Sequence, residues 1–154
     1  MQAKDRHYGF DFCPAFWDWL EAHNQAGLVF SIERVGAEIQ AGGGELATWA
    51  AQRGPGFFLP PHGAIQPEFA RLSAWAVSHG YDQGAVNTFF QAADYYLIAH
   101  AMASGDTVVT HEVAANTVKT IKIPNACAGL NVPCINPFQM LRTEGARFIL
   151  GPQP

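Results

Sequence analysis

The side chains best suited to chemistry in this chain are a few carboxylates set in apolar surroundings. The 154 residues include 13 acidic side chains, and 49% of the residues are apolar. Asp94 lies in the apolar helical stretch Ala92–Ala99, and Glu112 ends an apolar strand. Glu38 lies on the helix that follows the first strand. Carboxylate and water ligands select hard ions such as Mg²⁺ or Mn²⁺, and a cluster of acids at strand ends would suit metal-assisted phosphodiester hydrolysis.

Each of these acids also has a purely structural explanation. Asp94 suits a helix N-cap, where an aspartate stabilises free backbone amides. Glu112 is equally consistent with a solvated strand end, although a buried carboxylate there needs a partner or a metal. Glu38 taken alone is more typical of a solvated helix residue. The residue types therefore leave both interpretations open.

Several familiar catalytic motifs are excluded. The segment from His111 begins like the zinc motif HExxH, but Ala115 stands where the second histidine is needed. The glycines at 42–44 are not followed by the GK[ST] of a phosphate-binding loop, and no GxSxG nucleophile motif is present. Six histidines are scattered without metal-ligand spacing. We expect them at the surface or with satisfied hydrogen bonds.

Alternating helices and short apolar strands are expected to position the acids. Proline, glycine and helical spacing predict helices that begin near residues 14, 33, 45, 67, 84, 124 and 137. Apolar, β-branched runs predict strands over 28–32, 107–110, 121–123, 132–135 and 146–150, with 107–110 as a central strand. This alternation indicates an α/β fold with a mainly parallel sheet. Working residues then gather at the carboxyl ends of strands, which points to Thr110, His111 and Glu112.

Composition bounds the class of protein. A chain of 154 residues corresponds to a single domain, residues 1–154, with room for a core. No apolar run approaches the ~18–20 residues of a membrane span, and Lys4, Asp5 and Arg6 do not resemble a secretory signal, so we expect a cytoplasmic protein. The formal net charge of −4 argues against a protein that coats DNA. Three widely spaced cysteines argue against a disulfide framework.

Three segments resemble the ordered acidic motifs of the PIN-domain family. They are residues 31–42 with Glu38, the run Asp94–Ala99, and the run Val108–Glu112. The segment from Ile121 to Asn136 resembles one uncharacterised bacterial subfamily close to VapC-type toxins. The resemblance spans nearly the whole chain, and the order and spacing of the motifs are more specific than any one of them. It implies a three-layer α/β/α sandwich with a mainly parallel central sheet.

The resemblance also implies a metal-dependent ribonuclease. The family's second and third acids fall on Glu38 and Asp94, and its strand-end Thr-x-Asp motif falls on Thr110 and Glu112. Glu38, Asp94 and Glu112 would hold Mg²⁺ or Mn²⁺, and Thr110 would hydrogen-bond a metal-bound water or an acid. Glutamate in place of the motif's aspartate is a departure that bears on the position and occupancy of the metal.

A larger departure lies at the start of the chain. The family opens with a short apolar strand that carries its first Asp, and Met1–Lys4 resembles the residues just after that strand. We expect either that the gene begins upstream of Met1 or that the chain is a degenerate member. The strand would be central in a parallel sheet, so its loss would remove ladder hydrogen bonds on both sides.

The function expected from the resemblance is that of an endoribonuclease toxin, with RNA as substrate and an antitoxin protein as partner. Lys119 and Lys122 follow the acidic strand and are candidates for phosphate contacts, or they are ordinary solvated lysines. One alternative is a PIN-like module that binds a protein partner without cleaving RNA. Another is a small-molecule hydrolase built on the same carboxylates. Family habit alone suggests a homodimer, and no membrane partner is expected.

Overall fold

The computed structural model describes residues 8–149 of the chain. The helices are α1 Pro14–Gln25, α2 Glu33–Ala41, α3 Gly44–Ala51, α4 Gln66–Ser78, α5 Gln83–Gln91, α6 Ala93–Ser104, α7 Ile123–Leu130 and α8 Pro137–Thr143. The strands are β1 Ser31–Ile32, β2 Phe58–Leu59, β3 Val108–Val109 and β4 Cys134–Ile135, and a 3₁₀ turn spans Gly63–Ile65. None of the described helices is long and apolar enough to cross a membrane. Met1–Lys4 and both ends of the predicted domain lie outside the described residues.

The predicted helices are confirmed, and their ends follow the expected signals. Proline stands in the first turn of α1, α4, α7 and α8, where its missing amide hydrogen costs nothing. Gly105 ends α6 in the left-handed region, with a φ of 75°. Asn136 and Gln139 form a reciprocal capping box at the start of α8. The stretch 84–104 is predicted to be helical in two pieces, and this is confirmed: Ala92 is extended between α5 and α6.

The strands form two separate parallel ribbons. β1 pairs with β2, with Ser31 opposite Phe58, and β3 pairs with β4, with Val108 opposite Cys134. A mixed α/β architecture with parallel pairing is thus confirmed. The described strands do not join into one sheet.

Several strand predictions are corrected by the structure. The run 107–110 shortens to Val108–Val109, which pairs on one side only and is therefore not central among the described strands. The run 28–32 shortens to Ser31–Ile32, and Leu28 is 60% exposed. Residues 146–149 form no strand, and Leu150 lies outside the described residues. A β-branched run favours extension, but a strand also needs a partner edge.

Two smaller differences concern the loops. Ile123 begins α7 instead of ending an extended run, because Pro124 suits a first helical turn. The sequence did not predict β2, because Phe58–Leu59 is only two residues long and follows a glycine-rich turn. Its pairing depends on β1, which lies 27 positions earlier in the chain.

The apolar interior is divided into clusters. The largest lies under α4, α5, α6 and α7 and contains the fully buried Leu72, Ile98 and Cys127. Two smaller, aromatic clusters join α1, α3 and β2. Gly36 on α2 packs directly against the ring of Phe58, since a Cβ there would lie 2.8 Å from Cγ. This close approach sets the position of α2, and with it Glu38, on the first ribbon.

Candidate active site

Glu38 reaches from α2 to the first turn of α6. Its Oε1 accepts a hydrogen bond from the backbone amide of Ala93, at 2.9 Å. The first amides of a helix have no partner within the helix, so a carboxylate there satisfies one of them and favours the helix dipole. Glu38 is exposed, as expected for a solvated helix residue, yet its carboxylate joins two elements that are far apart in the sequence.

Asp94 lies beside this contact, on the first turn of α6. The N-cap of α6 is Ala92, and Asp94 lies two residues further on, inside the helix, so the interpretation of Asp94 as an N-cap is wrong. Burial raises the pKa of the Asp94 carboxyl above its usual range. The charges of Glu112 and Glu38 raise this pKa further, while Lys122 lowers it. Asp94 is therefore electrostatically coupled to both of the other predicted acids.

Hydrogen bonds hold both the backbone amide and the carboxylate of Glu112. Its backbone amide donates to Thr110 Oγ1 at 3.0 Å, which closes a turn directly after β3. Its carboxylate accepts hydrogen bonds from Lys122 Nζ at 2.6 Å and from the Ile123 amide at 3.0 Å. Glu112 is partly buried, so it is not a solvated strand end. The partner that a buried carboxylate was expected to need is supplied by the Lys122 ammonium and by the first amide of α7.

The two predicted phosphate-binding lysines differ in environment. The Lys122 ammonium is paired with Glu112 and lies near enough to Asp94 to lower the pKa of its carboxyl. Lys119 is exposed, and within residues 8–149 its ammonium makes no hydrogen bond or ion pair. Its backbone amide donates to Thr117 Oγ1 at 3.2 Å. Lys119 is thus the one of the two that is available to an external anion.

Asn125 fixes the loop between these groups. Its Oδ1 accepts from the Ala115 amide at 3.0 Å, and its Nδ2 donates to the Ala115 carbonyl at 3.1 Å. The side-chain amide thereby pairs with a backbone as a neighbouring strand would. Sequence reasoning did not select Asn125. Its place in the first turn of α7, directly after Pro124, was the available signal.

The donor chemistry of the three acids fits Mg²⁺ or Mn²⁺, since all the donors are carboxylate oxygens. The pKa of Asp94 is raised first by burial and then by the charges of Glu112 and Glu38, and a bound cation would favour the ionised carboxylate against both. Among residues 8–149, however, no group of three or more Asp, Glu, His or Cys side chains is placed to hold a metal ion. In this arrangement Lys122 supplies a positive charge to Glu112.

A cavity of about 660 Å³ lies between the two ribbons; we call it the slot. Segments 28–32 and 105–109 both line it, together with α6 and the aromatic side chains of α1 and β2. His100, only 4% exposed, also lines it, and its Nε2 has no hydrogen-bond partner within the described chain. The expectation of a surface or satisfied position is wrong for His100. Its apolar helical neighbours were the signal for burial.

Comparison with known proteins identifies a family. Residues 1–148 match the family model described as "Domain of unknown function (DUF4411)". No curated protein and no solved structure matches the chain. Because the match covers nearly the entire sequence, the chain belongs to the DUF4411 family.

Proposed function

We propose that this chain is a metal-dependent endoribonuclease with a PIN-like α/β/α fold. The observation that carries the proposal is the convergence of Glu38, Asp94 and Glu112. They come from α2, from α6 and from the turn after β3, and the first and last both raise the pKa of the middle one. Two acids from separate elements that act on a third at one helix end support a cation site there, since a cation would offset their charge.

The residues have distinct parts in this proposal. Glu38, Asp94 and Glu112 would hold Mg²⁺ or Mn²⁺, which supplies a water-derived nucleophile and stabilises charge on the phosphate. Thr110 positions Glu112 by accepting its backbone hydrogen bond. Lys119 offers an exposed positive charge to the phosphate backbone of RNA. Lys122 holds Glu112 in place and tempers the repulsion at Asp94.

Parallel ribbons with helices between their strands support the PIN-like fold, since parallel strands need crossover connections of this kind. The choice of RNA over other phosphodiesters, the antitoxin partner and the homodimer rest on the resemblance to VapC-type toxins. The cytoplasmic location stays a prediction of the sequence.

The test is RNA cleavage with Mn²⁺ by the wild-type chain and by Asp94→Asn. We expect the substitution to lower the cleavage rate by about 10²–10³-fold, the usual effect of removing one group that stabilises charge in a transition state. Asp18→Asn, on the exposed face of α1, is the matched control and should retain activity. Equal cleavage by wild type and Asp94→Asn would contradict the proposal.

A second candidate is a module that binds a protein partner without cleaving RNA. It is favoured by the ion pair of Lys122 with Glu112 and by the lack of a metal-holding trio among residues 8–149. Calorimetric titration with Mn²⁺ separates the two candidates. Heat of binding that disappears in Asp94→Asn supports the nuclease, and no binding by the wild-type chain supports the module.

A further inference from the structure

A second cavity lies at the carboxyl ends of β1 and β2; we call it the arginine pocket. Its volume is about 220 Å³. Ile32 and Leu59, the last residues of the two strands, line it together with side chains of the 3₁₀ turn, α4 and α6, among them Ile65 and Phe69. Ligands of parallel α/β proteins bind outside the carboxyl ends of the strands. The position of the arginine pocket therefore favours a binding site.

Arg34 brings an exposed positive charge to this pocket and is held in one position. Its guanidinium carbon lies over the Tyr96 ring, 5.2 Å from the ring centroid, and its Nη2 donates to the Gln91 carbonyl oxygen at 3.2 Å. Among residues 8–149 the Arg34 guanidinium has no acidic partner in an ion pair. A guanidinium has five N–H donors, and these contacts use one of them. The fork of donors that remains suits a phosphate group.

Arg34 lies close to the acidic cluster. It precedes Glu38 by one turn of α2, about 6 Å along the helix axis. The two side chains reach the same junction between α5 and α6, since Arg34 contacts the Gln91 carbonyl oxygen and Glu38 contacts the Ala93 amide. One nucleotide of an extended strand can span this distance. A strand with one phosphate at the acids would therefore bring a neighbouring phosphate to Arg34.

The other groups that line the arginine pocket suit a nucleobase. The exposed carboxylate of Glu33 repels a phosphate, but it can accept a hydrogen bond from the amino group of a base such as cytosine. His100 is buried, and its Nε2 has no hydrogen-bond partner within the described chain. The flat faces of a base pack well on aromatic rings such as those of Phe69 and Tyr96. A purely aliphatic ligand would leave His100 Nε2 without a partner.

We propose that the arginine pocket binds one base of a single-stranded RNA, while Arg34 binds a phosphate of the same strand. This inference rests on the proposed nuclease function and adds the path of the substrate. The strand runs along α2, from the pocket beside Arg34 to the acidic cluster beside Glu38. Phosphate contacts position a strand and contacts to a base select it. Arg34 therefore sets the position of the strand, and Glu33 and His100 act on the choice of base.

Fluorescence anisotropy with a labelled cytidine oligomer tests the base contact. Binding is measured in EDTA, beside a ribose-phosphate oligomer of equal length that lacks its bases. We expect the wild-type chain to bind the cytidine oligomer at least ~5-fold more tightly, the lower limit of what one stacked base contributes. Ala37→Phe fills the pocket from an exposed position on α2 and should abolish this preference. Ala41→Phe, one turn further along α2 and outside the pocket lining, is the matched control and should keep it.

The salt dependence of binding tests the phosphate contact independently. Arg34→Gln removes the positive charge and keeps an amide donor for the Gln91 carbonyl oxygen. We expect the slope of log affinity against log salt concentration to become shallower by about 0.7, the value for one phosphate of a single strand. Arg142→Gln, at an exposed position on α8, makes the same change in charge and should leave the slope as it is.

Four outcomes would overturn the proposal: no binding of either oligomer, equal binding of both by the wild-type chain, a base preference that survives Ala37→Phe, and cytidine monophosphate that binds as tightly as the oligomer. An unchanged salt slope in Arg34→Gln would remove the phosphate contact. Cleavage with Mn²⁺ is scored separately. A chain that cleaves RNA without a base preference contradicts the arginine pocket alone, whereas a chain with the preference and no cleavage supports the pocket and contradicts the nuclease.

Discussion

The two sides of the slot are packed in different ways. On one side α4, α6 and α7 enclose the large core, in which aliphatic and aromatic side chains mix and Leu72 and Ile98 are fully buried. On the other side aromatic rings meet edge to face, with Trp49 5.0 Å from Trp17 and 5.1 Å from Phe57 between ring centroids. Those three rings line the slot, whereas Leu72 and Ile98 do not.

This difference indicates where the fold is self-sufficient. The side with the large core fills its interior with its own residues, so it can hold α6 and the acidic cluster in place. The aromatic side borders open space, so its packing depends on what the slot contains. Three measurements of stability test this contrast.

The largest change in the free energy of unfolding is expected from truncating a side chain in the large core. Ile98→Ala should lower the free energy of unfolding by about 4 kcal/mol, because the side chain is fully enclosed. Leu46→Ala, on the aromatic side and lining the slot, should cost only about 2 kcal/mol, since its surroundings are already incompletely filled. Urea unfolding measures both. Equal losses would contradict the contrast between the two sides.

A smaller effect is expected at the contact that places α2 on the first ribbon. Gly36→Ala should lower the free energy of unfolding by about 1–3 kcal/mol, because its Cβ would lie under 3 Å from the Phe58 ring. Gly84, near the start of α5, has no heavy atom within 4 Å of the corresponding position. Gly84→Ala should therefore raise the free energy by about 0.5–1 kcal/mol. Thermal unfolding of the pair gives the two signs, and a neutral Gly36→Ala would mean that the ring moves freely.

The smallest change in the free energy of unfolding is expected at Asp94, in the acidic cluster. The Asp94 pKa is raised by burial and by Glu112 and Glu38, so the folded state holds this proton more tightly than the unfolded state. The resulting stabilisation is present at low pH and is lost as pH rises from about 4 through the raised pKa. Asp94→Asn should remove this dependence and raise stability at pH 7 by up to about 1 kcal/mol. The same substitution should lower activity, as residues placed for function commonly compromise stability.

Urea unfolding of wild type and Asp94→Asn between pH 4 and 8 checks this prediction. Asp18→Asn serves again as the exposed control and should leave the profile unchanged. A profile of Asp94→Asn that follows the wild type would show that burial, Glu112 and Glu38 do not raise the pKa of Asp94 in the folded state.

Local sequence signals predicted the helices well because residues that favour a helix start or end lie within or next to the helix itself. Pro14, Pro67, Pro124 and Pro137 mark first turns, and Gly105 marks an end. The strands were harder, since a two-residue strand such as β2 exists only through its partner. The side of a strand that remains unpaired is a property of the assembled fold, and no local pattern contains it.

The sequence predicted the acidic residues of the candidate site, but not the groups that hydrogen-bond to their carboxylates. Asp94 and Glu112 were conspicuous as charges beside apolar runs. The contact of Lys122 with Glu112 spans a loop, and that of Glu38 with Ala93 spans 55 residues, so neither leaves a spacing to detect. His100 is one of six scattered histidines, and only its apolar helical neighbours distinguish it from the other five in the sequence.

The pairing registers of the two ribbons have a consequence for the order of folding. Ser31 pairs with Phe58 and Val108 pairs with Cys134, so the partners are 27 and 26 positions apart. Chain closure costs nearly the same entropy for both, since that cost changes only slowly with length. During synthesis the first ribbon is complete before α6 emerges, and domains fold as their segments become available. α6, which packs against both β1 and β3, is then available to the first ribbon before the second ribbon has been synthesised.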